Sequence, residues 1–186
     1  LVGEFGANLK GSHNQYFQYQ MDQVLRQFDQ EMLSSARWNY TPHWNPIDRD
    51  HFHDEDYSCF DDKKQYRQSC VPRASLQQLS GDLISLDIHH KGESKFFIPL
   101  FPALSDKNQY TETRVDLRWQ HVPSQGETRV FASRHMIFDG AQVSIETQGD
   151  DLQCQYDQQE RYVICSSNNA GEKHLVIQAK SITSNN

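Results

Sequence analysis

Apolar and polar side chains alternate through much of the chain after Gly81, with the two-residue period of a β-strand that buries one face. The alternation is strict between Arg114 and Val122, where Val115, Leu117 and Trp119 are separated by charged or amide side chains. Further segments of this kind are Leu83–Ile88, Phe96–Leu100, Thr128–Ile137, Gln142–Thr147, Leu152–Tyr156, Arg161–Ser166 and His174–Ala179. The pattern predicts an antiparallel sheet whose strands are joined by short turns.

A longer period precedes the strands. The segment from Asn14 to Arg37 contains no Gly or Pro, and its apolar residues recur at three- and four-residue steps. This spacing predicts one amphipathic helix over the whole segment, with Ser12 as a candidate N-cap. The candidate residues for packing and assembly on its apolar face are Phe17, Met21, Val24, Leu25, Phe28 and Met32.

The four cysteines fall into two local pairs, Cys59 with Cys70 and Cys154 with Cys165. An even number in local pairs favours disulfides formed in an oxidising compartment. Zinc is disfavoured because the two-residue gaps typical of zinc sites do not occur. We therefore predict two local disulfides.

The second pair also predicts a strand register. If Asp157–Glu160 forms a turn and Tyr156 pairs with Val163, then Cys154 lies directly opposite Cys165. Directly opposed residues of antiparallel strands lie at a distance that a disulfide can span.

Together these elements predict an α+β fold in which a long N-terminal amphipathic helix packs on an antiparallel β-sheet. The length of 186 residues suits a single domain, residues 1–186. Within it we expect the N-terminal helix over 1–37, a disulfide-tied loop over 38–80, and the sheet with its C-terminal hairpin over 81–186.

The formal net charge of −7 disfavours nucleic acid as a partner, because an acidic protein repels phosphate backbones. Arginines between Arg114 and Arg134 alternate with apolar residues, as exposed strand positions do. No run of eighteen apolar residues occurs in the sequence, which therefore predicts no membrane-spanning helix within it.

Acidic residues and histidines cluster in the loop at 48–56. The candidate metal ligands are Asp48, Asp50, His51, His53 and Asp54. An EF-hand is excluded, because His53 and Cys59 stand where that loop requires Gly and Glu. The alternatives are a transition-metal site and a solvated acidic loop. No other cofactor is predicted.

Motifs of nucleophilic, phosphate-binding and metal-dependent catalysis are absent from the sequence, including G-x-S-x-G, H-E-x-x-H, the P-loop and G-x-G-x-x-G. The adjacent pairs Asp61-Asp62 and Asp150-Asp151 are typical of solubilising turns rather than of carboxylates that converge on one bond. The sequence therefore predicts no catalytic residues and no enzyme activity.

A short apolar N-terminal segment, a long amphipathic helix, a disulfide-tied loop and a sheet ending in a local cysteine pair resemble the type IV pilin-like family, in particular minor pilins and type II secretion pseudopilins. In that family a Gly and a following Glu open a long apolar segment. Here Gly3 and Glu4 are followed by no such run.

The resemblance implies a structural subunit of a type IV pilus or secretion filament, on the periplasmic or extracellular side of the cell envelope. It also implies that the helix contacts other pilin-like subunits, and that the full-length precursor is anchored in the membrane.

Two other functions are compatible with the sequence. In a secreted or periplasmic ligand-binding module, the aromatic loop residues would line a sugar or peptide site; these are Trp38, Tyr40, Trp44 and Phe52. In a secreted hydrolase, His51 or His53 would lie beside a carboxylate in a concave pocket, with a shifted pKa.

Overall fold

The computed structural model describes residues 2–6, 14–37, 41, 45, 47–48, 56–59, 73–92, 110–132 and 141–181. The chain divides into two compact units. The first contains Leu1–Val71 and Gly92–Gln109, and the second contains Pro72–Lys91 and Tyr110–Asn186. The predicted single domain with its three segments stays a prediction.

The first unit contains two short parallel strands and the helix between them. Strand β1 is Val2–Phe5, helix α1 is Asn14–Gln30, and strand β2 is Ser35–Arg37. The two strands pair in parallel. Parallel neighbours need a crossover connection, which α1 provides, so this is a β-α-β unit.

Helix α1 is amphipathic but shorter than predicted. Met21 is buried, and Leu25 and Phe28, at the next helical steps, are half-buried. Val24 and Met32, which the sequence also assigns to the apolar face, are 39% and 48% exposed. The side chain of Phe17 lies outside the described residues.

The helix ends at Gln30 because the chain turns into a left-handed residue. Met32 has a φ of 53°, its N–H donates to the Asp29 carbonyl at 3.2 Å, and the Leu33 N–H donates to the Phe28 carbonyl at 2.8 Å. This pair of bonds is the Schellman motif that closes many helices. The prediction of one helix from Asn14 to Arg37 is therefore wrong, since the last residues of that segment form β2.

The second unit is built from two four-stranded sheets. One has the order β4-β5-β10-β7 and the other β3-β6-β9-β8. The strands are β3 Ser75–Gln78, β4 Gly81–Gly92, β5 Tyr110–His121, β6 Thr128–Phe131, β7 Ala141–Gln148, β8 Gln153–Asp157, β9 Tyr162–Ser166 and β10 Gly171–Ser181.

A single apolar core joins strands of both sheets. Residues contributed by β4-β5-β10-β7 include Ile88, Val115, Leu117, Trp119, Leu175 and Ile177, all fully buried. The other sheet contributes Val130, Val163 and Cys165. Two antiparallel sheets that share one core form a sandwich layout.

The predicted fold class is therefore wrong. The chain is mostly β, with two antiparallel sheets where one was predicted, and no long N-terminal helix. Strand β3 lies in the predicted loop 38–80, and β4 extends beyond the predicted segment Leu83–Ile88 to Gly92. No described helix is long and apolar enough to cross a membrane.

The C-terminal hairpin agrees with its predicted register. Tyr156 pairs with Val163 and Cys154 with Cys165, and the two cysteines form a disulfide. Cys59 is buried, and Cys70 lies outside the described residues, so the Cys59–Cys70 bridge stays a prediction.

The conformation of Met32 predicts a stabilising substitution. A side chain disfavours the left-handed conformation, so Met32→Gly should raise the free energy of unfolding by about 0.5–1 kcal/mol. Urea denaturation followed by circular dichroism measures this change. As a control, Glu31→Gly alters the preceding residue, which does not have a positive φ, and should lower stability by about 0.5–1 kcal/mol. Equal effects of the two substitutions would contradict this account.

Candidate functional site

The carboxyl ends of the two parallel strands lie at the same edge of the first unit. In the strand register Glu4 is opposite Ala36 and Phe5 is opposite Arg37. The pairing is irregular between Val2 and Glu4, so Gly3 occupies a bulge. Bulges often occur beside active sites, where they change the direction of the following residue.

The helix holds this edge from one side. The ring of Phe5 packs edge-on against that of Phe28, with centroids 5.3 Å apart. At the other end of β1, the Val2 N–H donates to the Ser34 carbonyl at 2.7 Å. Both ends of a four-residue strand are therefore fixed. In parallel α/β architectures, functional residues lie at the carboxyl ends of the strands, and Glu4 is the next-to-last residue of β1.

A serine and a histidine lie together in the second unit. Ser80 Oγ is 2.7 Å from His121 Nδ1, and Thr128 Oγ1 is 2.8 Å from the same serine oxygen. The His121 Nε2–H donates to the Ser167 carbonyl at 3.0 Å. Because a carbonyl can only accept, the imidazole proton is on Nε2, and Nδ1 accepts from Ser80.

This Ser–His pair is structural despite its resemblance to a nucleophile and its base. Ser80 and Thr128 are completely buried, and His121 is 1% exposed. A substrate cannot reach a group buried in this way, and within the described ranges no carboxylate orients the imidazole as in a catalytic triad. The hydrogen bonds instead satisfy polar groups inside the sandwich.

Lys173 forms a second buried polar centre. Its side chain is 2% exposed, and its Nζ donates to the Asp150 carbonyl at 2.6 Å and lies 3.6 Å from Asp151 Oδ1. A hydrogen bond from the Ser167 hydroxyl is the largest of the effects that lower the pKa of Asp151, and the Asn168 N–H and Lys173 act in the same direction. This network joins the turn before β8 to the turn before β10.

His90 is a buried histidine on β4. Its Nδ1 is 2.9 Å from the Thr113 hydroxyl on β5. Burial holds the pKa of His90 well below its ordinary value of 6.5, and the positive charge of Arg73 and the neighbouring His89 lower it further. The folded protein therefore keeps this imidazole neutral.

Most of the predicted metal ligands fall outside the described residues. Only Asp48 is described, and it is exposed; its carboxylate accepts a hydrogen bond from the Asn45 amide at 3.3 Å. Asp50, His51, His53 and Asp54 lie outside the described residues. Among the residues that the structure does describe, no three His, Cys, Asp or Glu side chains are placed to hold a metal ion. The metal site stays a prediction.

No protein-family model matches the sequence, and no curated protein matches it. Solved structures do resemble the fold. Endo-glycoceramidase II from Rhodococcus sp., solved as a lactosyl–enzyme intermediate, has a TM-score of 0.58 at 10% identity over 98% of this chain and 33% of its own. Sterylglucosidase 1 from Cryptococcus neoformans has a TM-score of 0.60 at 13% identity over 97% of this chain and 28% of its own.

Both neighbours are glycoside hydrolases. The chain spans about a third of their length, and at these identities the likeness establishes the fold. It overturns the resemblance to pilins and pseudopilins and the filament function drawn from it, and it contradicts the prediction that the chain has no enzyme activity. The assembly role of the helix residues from Phe17 to Met32 is not tested by this likeness and stays a prediction.

The sequence motifs assign no role to Glu4, which they mark only as part of a departure from the pilin pattern. The available signal was the short β-type segment at Val2–Phe5 followed by an amphipathic helix, which together are typical of one β-α step.

The buried His90 predicts a pH dependence of stability. Its pKa is lower folded than unfolded, so below about pH 6.5 the unfolded chain binds more protons and the free energy of unfolding falls. His90→Asn keeps an amide near the position of Nδ1 but does not titrate, so stability should depend less on pH between 7 and 5. Urea denaturation at several pH values measures this slope. The exposed His89→Asn is the control and should keep most of it; an unchanged slope in His90→Asn would refute the assignment.

Proposed function

We propose that this chain acts in the hydrolysis of glycosidic bonds, with Glu4 as a catalytic carboxylate. The observation that carries the proposal is the position of Glu4 at the carboxyl end of β1, next to a bulge, in a β-α-β unit. The likeness to glycosidases supports the reaction class, because cleavage of glycosidic bonds uses a pair of carboxyl groups.

We propose hydrolysis with retention of configuration as the reaction. One of the neighbours was solved as a lactosyl–enzyme intermediate, which is a glycosyl group held covalently by the enzyme. In such a reaction a carboxylate oxygen attacks the anomeric carbon while a second carboxylic acid, about 5–5.5 Å away, protonates the departing oxygen. Water then cleaves the glycosyl ester, with the second group as its base. Glu4 takes the part of the nucleophile.

The substrate class that we propose is a glycolipid, in which a sugar is linked to a lipid alcohol. The names of both neighbours describe such bonds, one to a ceramide and the other to a sterol. Trp38 and Tyr40 lie outside the described residues; in the sequence they follow β2, whose carboxyl end shares an edge with that of β1. Aromatic rings offer the apolar surface that a sugar ring or lipid contacts.

A second candidate function is sugar binding without hydrolysis. The same aromatic residues, with Trp44, support it. The two functions differ in their dependence on Glu4, since binding needs no carboxylate nucleophile.

Removing the carboxylate tests the proposal. Glu4→Gln should lower the rate of sugar release from a glucosyl- or lactosyl-lipid by about a thousandfold or more, because an amide cannot serve as the nucleophile. Chromatography of the released sugar measures the rate. Glu31→Gln, in the same unit, is the control and should keep the wild-type rate. A 2-deoxy-2-fluoro glycoside should label the peptide that contains Glu4. Hydrolysis unchanged by Glu4→Gln, or label on another residue, would refute the role.

We also propose that the protein works outside the reducing cytosol. The Cys154–Cys165 disulfide supports this, since such bridges persist in oxidising compartments. After isolation under non-reducing conditions, with thiols blocked at lysis, mass spectrometry should find Cys154 and Cys165 unalkylated. Alkylation of both at lysis would contradict the proposed location.

A further inference from the structure

An aromatic pair lies on the outer face of the sheet β3-β6-β9-β8. Thr128 and Val130 on β6 are buried, as are Val163 and Cys165 on β9. Because side chains alternate along a strand, the residues between and beside them face away from the core. Phe131 and Tyr162 occupy such positions on the two strands.

The two rings contact each other across the strands. Phe131 and Tyr162 are partners in the register, and their centroids are 5.7 Å apart at an interplanar angle of 64°. Both residues are half-buried. Ile164, the next outward residue of β9, is also half-buried and extends the apolar surface. We call Phe131, Tyr162 and Ile164 the aromatic platform.

Polar side chains surround the aromatic platform, and those named here are neutral except for Asp157. Ser75 on β3 is the register partner of Phe131, and Asp157 on β8 is the register partner of Tyr162. Gln155 is opposite Ile164, and Gln77 donates to the Ser75 hydroxyl at 2.7 Å. Carboxamides and hydroxyls both donate and accept hydrogen bonds, as the hydroxyl groups of a sugar require.

The charged side chains of Arg129 and Asp157 on this face already have partners within the chain, so they do not favour an ionic ligand. Arg129, whose register partner is Ile164, forms an ion pair with Glu127 at 3.0 Å. Asp157 accepts hydrogen bonds from the Gln159 and Glu160 N–H groups with one carboxylate oxygen, Oδ1. The surface therefore suits a neutral polar molecule with an apolar side.

We propose that the aromatic platform binds a hexopyranose residue of a neutral oligosaccharide. The C–H groups on one side of the sugar ring would pack on Phe131 and Tyr162, and its hydroxyls would contact Gln155 and Asp157. The choice of a sugar as ligand rests on the proposed glycosidase function.

The dimensions of the sheet fit this ligand. Neighbouring strands lie about 4.8 Å apart, so the four strands from Ser75 to Asp157 span about 14 Å. This length admits more than one sugar ring. A specific protein partner would bury about 800 Å² on each side, with an apolar centre larger than two rings and one isoleucine.

Lactose and cellobiose are the probes that test the site, titrated into the ¹⁵N-labelled chain. The amide signals of β6 and β9 should shift on titration. Phe131→Leu and Tyr162→Leu keep apolar bulk but remove a ring, and each should weaken binding by roughly five- to tenfold. Ile84→Ala, at a residue 51% exposed in the other sheet, is the control and should bind as wild type.

Two results would overturn the proposal: unchanged affinity in a folded Phe131→Leu or Tyr162→Leu variant, or shifts confined to other strands. If neither variant folds, Gln155→Ala decides, since it keeps both rings; weaker binding supports the platform and wild-type binding refutes it.

The Glu4→Gln variant separates this proposal from the catalytic one. It should bind both sugars with wild-type shifts in β6 and β9 while hydrolysis is lost. Wild-type hydrolysis in Glu4→Gln would refute the catalytic role and leave the platform standing. Wild-type affinity in Phe131→Leu, with hydrolysis still dependent on Glu4, would refute only the platform.

Discussion

The pairing of β5 with β10 is the interaction on which the second unit depends. It runs through ten consecutive residue pairs, from Gly171 opposite His121 to Lys180 opposite Glu112. Along both strands every second residue is buried, so a shift of one residue would expose the whole apolar set. The register is therefore fixed by the core, and β4 and β7 add to the two sides of a pair that is already determined.

Buried polar groups fix the end of the sandwich where β5 ends. Ser80, His121 and Thr128 join the turn before β4, the end of β5 and the start of β6 through hydrogen bonds of 2.7 and 2.8 Å. The backbone comes close enough there that a Cβ at Gly81 would lie 1.9 Å from the Gln120 carbonyl oxygen. A histidine with every nitrogen engaged and no access to solvent contributes specificity of packing rather than chemistry.

The sequence predicted local structure well and the choice of partners poorly. The Cys154–Cys165 hairpin followed from a four-residue turn and alternation, because its contacts are close in sequence. The division into two sheets depends on which distant strands become neighbours, as in β5 beside β10, and periodicity carries no information about that. The helix predicted from the sequence runs beyond Gln30 because no glycine marks its end. The left-handed conformation of Met32 is instead accompanied by backbone hydrogen bonds.

The candidate site was missed for a related reason. A parallel pair of four- and three-residue strands has no alternation long enough to recognise, and the paired segments are separated by the helix. The parallel pairing places Glu4 near the edge where the carboxyl ends of both strands lie, which is where parallel α/β folds carry their functional residues. Among the described residues of the second unit, the buried hydroxyl, imidazole and ammonium groups discussed above bond to one another or to the backbone. Catalysis needs a group that a substrate can reach, and these groups are buried.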